Sequence, residues 1–165
     1  MNAFFIWLES SSLSLWVRGE SGADMAFPVI ISLHAIGMGF LAGIASMINL
    51  RILGVAPKVP LGCLAAFLPV AWLALAINVV SGVLLLVGYP TKALTNWVFY
   101  VKLLCLAGAL WGFLHLRRQV LLAPTPLSAA RLVAYQRVAA LATLLWVAAI
   151  VAGRLLAYTY IHLMS

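Results

Sequence analysis

Between Phe27 and Tyr160 the chain passes through four apolar stretches, and none of them holds an acidic residue. Crossing a hydrocarbon layer about 30 Å thick takes about 20 helical residues, and each stretch is long enough. In lipid every backbone N–H and C=O must be satisfied within the protein, which favours helices. Composition agrees: 66% of the 165 residues are hydrophobic and 8% are charged. A soluble domain is about half apolar and about a quarter charged. The fold class expected is therefore all-α: one transmembrane domain over residues 1–165, a four-helix bundle with spans at about 27–53, 61–87, 96–116 and 138–160.

The boundaries follow local chemistry. Pro28 suits a helix start. Arg51, Gly54, Pro57, Lys58 and Pro60 form the first turn, and Gly88 to Lys92 end the second span. Arg117 and Arg118 stop the third, and a loop with Pro124 and Pro126 follows, turning helical again from Ser128. Ahead of the spans, residues 2–17 alternate aromatic and aliphatic side chains with Glu9 and serines. That segment is too short and polar to span, and it lacks the pattern of a cleaved leader. It reads as an amphipathic helix in the interface, anchored by Phe4, Phe5, Trp7, Leu8 and Trp16.

The net charge of +7 comes with no aromatic-and-basic patch, so nucleic acid is not the expected partner. Membrane topology explains it instead. Arg51, Lys58, Arg117, Arg118, Arg131 and Arg137 follow spans one and three, whereas Glu9, Glu20 and Asp24 lie on the other side. Positive loops stay in the cytoplasm, which sends both termini outward. The expected setting is a bacterial inner membrane with periplasmic termini. Cys63 and Cys105 have no metal-ligand spacing and read as packing residues. Gly39 with Gly43, and Gly108 with Gly112, are spaced to let helices approach closely.

Polar groups inside spans are costly and point to function. His34, Asn78, Lys102, His115 and Arg154 stand out. Counting about 1.5 Å per residue from each span centre, His34, Lys102, Asn78 with Ser81, and Arg154 all fall roughly 6–10 Å toward the outside. Met38 lies one turn from His34, and Tyr158 and His162 continue the Arg154 stripe. His115 falls roughly 14 Å toward the inside, where Asn49 and Arg51 are its nearest candidate partners. Two histidines on separate helices suggest a bis-histidine haem b. Yet about 20 Å separates His34 from His115 along the membrane normal, too far for one macrocycle. No acid exists in the spans to pair with Lys102 or Arg154. The group expected there is an exogenous anionic group, such as a haem propionate, a quinone oxygen or a lipid phosphate, or else a partner chain's acid.

The stretch FPVIISLHAIGMGFLAGIASMINLRILG, Phe27 to Gly54, resembles the first helix of a bacterial four-helix membrane family of unknown function. That family shows FP, then H-x-x-G, then a polar residue before LR-x-LG; here Asn49 stands where Asp is usual. The resemblance extends over the whole chain. More distantly, His34 and the run WVFYVKLLCLAGALWGFLH, Trp97 to His115, are similar to HemJ-type protoporphyrinogen oxidases and CopD membrane domains. Trp97 and Lys102 are one residue further apart than in the HemJ element. The resemblance implies a haem- or porphyrin-associated bundle with His34 and Lys102 as its functional pair, and His115 in the place of a later histidine.

The leading expectation is a haem b-associated redox or electron-transfer subunit. His34 would be the axial ligand, with His115 the lesser candidate for iron. Lys102, Arg154, Met38, Asn78, Ser81 and Tyr158 would line the cofactor. The alternatives are a non-catalytic accessory subunit that meets a redox partner, lipid or second copy through buried cations, and a HemJ-like porphyrinogen oxidase. Four unbroken spans leave little room for alternating access.

Overall fold

A computed structural model of the chain describes residues 2–122 and 129–163. The expected Pro124–Pro126 loop and the side chain of His162 lie outside what it describes. Every regular element is helical: α1 (Asn2–Glu9), α2 (Ser12–Arg18), α3 (Ala26–Ile52), α4 (Leu61–Ala65), α5 (Leu68–Gly88), α6 (Pro90–Leu94), α7 (Trp97–Leu116), a π-helical turn (Arg117–Leu121) and α8 (Ala129–Leu163). Four segments, Ala26–Ile52, Leu61–Gly88, Trp97–Leu121 and Ala130–Leu156, are long and apolar enough to cross a membrane. The chain is a small integral membrane protein.

Two departures from the expected boundaries have local causes. The N-terminal segment is two helices, because Ser10 and Ser11 hydroxyls donate to the Trp7 and Leu8 carbonyls. Serines that bond the backbone in this way compete with helix continuation. Ser11 then caps α2 by accepting from the Ser14 N–H. The second span breaks at Ala66–Phe67, just before Pro69 near the start of α5. Proline lacks the N–H that would bond back to the preceding turn, so the helical ladder is interrupted there. Helix α8 begins at Ala129, in line with the helical turn expected from Ser128, in the AARLVAYQR stretch that is rich in helix formers.

Helix packing is paired. Span one lies against span two, span three against span four, and spans one and four join the pairs, while α5 and α7 share almost no close backbone approach. The dry core fills the half toward the basic loops, with Leu41, Ile48, Leu68, Phe113, Leu116 and Trp146 buried. There Arg117 stacks over the Trp72 ring, 5.4 Å from its centroid. Arg51 folds the adjoining loop onto itself by donating to the Val59 and Pro57 carbonyls.

The end carrying both termini, called here the terminal end, is closed by two devices. Helix α2 sits on α5: Val17 lies so close to Gly88 that a Cβ there would come within 2.7 Å of it. Ser14 adds a hydrogen bond to the Gly88 carbonyl, Glu9 accepts from the Thr91 N–H, and Phe27 packs edge-on against Tyr89. Between spans three and four, buried Asn96 caps α7 through the Val98 N–H and donates to Thr159 Oγ1 at 2.7 Å.

The expected glycine contacts divide. A Cβ on Gly108 would meet Leu145 at 2.9 Å, and one on Gly112 would meet Ala142 at 2.8 Å, so this pair does set the span three–four contact. Gly39 and Gly43 have nothing within 4 Å. They line a shallow apolar groove with Ile36, Phe40, Met47 and Val70. The close approach of spans one and two occurs at Gly37 instead, where a Cβ would lie 3.0 Å from the Ala74 carbonyl oxygen.

Candidate functional site

Each span presents one buried stripe to the bundle. Ile30, His34, Gly37 and Leu41 share that stripe on α3, and Ala74, Asn78 and Ser81 share it on α5. Val98, Lys102 and Ala109 do so on α7; Trp146, Ala149 and Gly153 do so on α8. Half-buried His34, Gly82, Lys102 and Gly153 lie at one level, in the half toward the terminal end.

A chain of polar contacts crosses the bundle at that level. The Ser81 hydroxyl donates to the Ile77 carbonyl at 2.6 Å, so its single proton is committed. Its oxygen, 3.0 Å from His34 Nδ1, then accepts from that nitrogen. With the proton on Nδ1, Nε2 carries a lone pair, and Lys102 Nζ stands 3.5 Å from it as donor. Asn78 Nδ2 donates to the His34 carbonyl at 2.9 Å, tying α5 to the backbone beneath the ring. The approach at Gly37 makes this bond possible, so the H-x-x-G spacing is a packing device: residues three apart share a helix face.

Two glycines seat the pair, and nothing in the sequence reading had singled them out. A Cβ on Gly82 would lie 3.2 Å from His34 Cε1. One on Gly153 would lie 3.5 to 3.7 Å from the Cε, Cδ and Nζ atoms of Lys102. The lysine therefore lies inward over span four toward the histidine, with its stem along the Gly153 backbone. Their signal was position alone: Gly82 follows Ser81, and Gly153 precedes Arg154.

The other candidates lie apart. Arg154 is exposed, and its guanidinium sits 5.7 Å from the ring centroid of exposed Tyr158. These two form a unit on the lipid-facing side rather than a part of that chain of contacts. Met38 packs against the apolar core one turn away from His34. His115 lies about 20 Å further along α7 than Lys102. It stacks on Trp111 at 5.2 Å and tilts against Tyr135 at 5.9 Å. Its expected neighbours are engaged elsewhere: Arg51 with the loop carbonyls, and fully buried Asn49 with Thr143 Oγ1 at 3.2 Å.

Among the described residues, no group of three or more histidine, cysteine, aspartate or glutamate side chains is placed to hold a metal ion. Haem needs fewer ligands, and the histidine is arranged in part for one. A ligating histidine donates its second ring N–H to a fixed oxygen, as His34 Nδ1 does to Ser81. Its Nε2, however, faces Lys102, so an iron there requires the lysine to swing away. Compared with protein families, with functionally described proteins and with solved structures, the chain matches none.

Proposed function

We propose that this chain is a small membrane subunit that holds an oxygen-bearing ligand or cofactor at the Lys102–His34 site. The observation that carries this reading is the inward turn of Lys102. A lysine within the apolar part of a membrane helix is costly, up to about 2.5–3.5 kcal/mol at the helix centre, unless it reaches water or a partner. Lys102 reaches toward a histidine nitrogen at 3.5 Å, the long limit of a hydrogen bond and worth well under the 1.5–3 kcal/mol of a good charge-assisted one. All three acids of the chain lie before the first span. The remaining ammonium protons therefore call for an acceptor from outside the chain. Native mass spectrometry of the protein extracted with its lipids tests this: one small molecule per chain is expected on the wild type and absent from Lys102→Met. Equal retention by both contradicts it.

A second reading is favoured by the Ser81–His34 bond. With Nδ1 so fixed, His34 is pre-oriented as an axial ligand of haem b, and Lys102, displaced from Nε2, would meet a propionate. Haem would supply one-electron transfer, making the chain an electron-transfer subunit. The purified protein would then show a Soret band that His34→Ala removes; a colourless preparation from haem-replete cells counts against it. Porphyrinogen oxidation by that preparation would mark a HemJ-like enzyme. An accessory role, with a partner's carboxylate on Lys102, predicts instead that a protein subunit is retained only by the wild type.

A further inference from the structure

The proposed site leaves three oxygen chemistries open, and depth and access separate them. Counted from the centres of the apolar segments, His34, Ser81 and Lys102 lie about 8–10 Å from the mid-plane. The hydrocarbon extends about 15 Å on each side, so the pair sits roughly 5–7 Å beneath its boundary. Phospholipid phosphates lie beyond that boundary. Lys102 does not rise to meet them, because its ammonium is turned to His34 and its stem lies on Gly153. A neutral carbonyl dissolves in hydrocarbon and still accepts strongly, whereas a full anion has to recover a large desolvation cost from its pairing with the ammonium.

Access is sideways. From the terminal end the route is covered by α2 on Gly88, by Phe27 against Tyr89 and by buried Ile30, which lies one turn above His34. The Asn96–Thr159 bond covers spans three and four. Toward the basic end the apolar core is packed. The remaining side is the gap between α5 and α7, which scarcely approach one another.

We infer that the Lys102–His34 site takes a lipid-soluble quinone-type carbonyl, which reaches it from the bilayer through the gap between α5 and α7. The inference rests on the oxygen-ligand reading above. An ammonium has three donors: one faces His34 Nε2, and among the described residues no other side chain takes the remaining two, which would serve the carbonyl oxygen.

The test is photolabelling of the full chain in lipid nanodiscs with an azidobenzoquinone carrying a decyl tail. Label is expected on peptides holding His34 and Lys102, at least tenfold less in Lys102→Met. Excess unmodified decylbenzoquinone should displace it, and dodecyl phosphate should not. Ser81→Ala keeps the ammonium and frees only the ring, and labelling falls at least threefold in a chain of unchanged helicity; this guards against a folding defect in Lys102→Met. Displacement by dodecyl phosphate but not by the quinone overturns the quinone class and leaves the oxygen-ligand reading standing. Competition by a sulfonated, membrane-impermeant naphthoquinone as strong as by the decyl compound overturns access from the bilayer. Labelling equal in wild type and Lys102→Met, displaced by neither competitor, overturns the inference and the reading beneath it.

Discussion

Lys102 and Arg154 show how two like residues in neighbouring spans take opposite courses. Arginine 154 has Tyr158 one turn nearer the terminal end and exposed, so it can carry its charge along the helix surface toward water, as long basic side chains do in membranes. Lysine 102 has a glycine beside it on span four and a histidine across the bundle, so its lower-energy course is inward. The histidine in turn is held by one side chain through its ring and by another through its carbonyl. Removing the second of these, in Asn78→Leu, should lower bundle stability by about 0.6 kcal/mol, typical of a hydrogen bond between membrane helices. Reversible unfolding in mixed micelles measures it. The sequence made His34, Asn78, Ser81 and Lys102 legible as a level, because polar groups in apolar runs are conspicuous and helix rise is fixed. It placed Arg154 there too, since depth along an axis says nothing about which way a side chain faces. The seats at Gly82 and Gly153 were hidden because a glycine's role depends on what lies opposite.

At the scale of elements, the same limit appears in the glycine pairs. Spacing alone made Gly39–Gly43 and Gly108–Gly112 equivalent, yet only the second is occupied. Gly112→Val should therefore destabilise by about 1–3 kcal/mol through overpacking against Ala142. Gly39→Ala should be neutral or stabilising by up to about 1 kcal/mol, from helix propensity alone. Denaturant midpoints of the two variants in one detergent check the contrast; equal losses would mean that Gly39 has a partner. The cap at Asn96 is a second element-level device. Asn96→Ala removes both the start of α7 and its tie to α8, and a loss of about 1–2 kcal/mol is expected, read as a lower thermal midpoint. The four spans themselves were plain from hydropathy. The break at Ala66–Phe67 and the division of the N-terminal segment were local choices that Pro69 and the Ser10–Ser11 pair decided.

At the scale of the whole molecule, the division of labour is axial. The half toward the basic loops is an apolar core, and the half toward the termini holds the Ser81–His34–Lys102 contacts beneath α2 and the Asn96–Thr159 bond. The charge distribution gives the orientation to expect: six basic residues follow spans one and three, and the three acids lie at the opposite end. Fusion of a periplasm-active reporter to either terminus should report export, and a fusion in the 53–60 loop should not; the reverse pattern would invert the molecule. Neither outcome changes the depth of the site, which is counted from the span centres. The central claim is that Lys102 points inward to His34 within the bilayer. Solid-state NMR of the protein in phospholipid, with labelled lysine nitrogen and histidine carbon, measures this most directly. A dipolar contact is expected between Lys102 Nζ and the His34 ring, consistent with the 3.5 Å separation from Nε2, with no coupling of that nitrogen to lipid phosphorus. Coupling to phosphorus without the ring contact would contradict it.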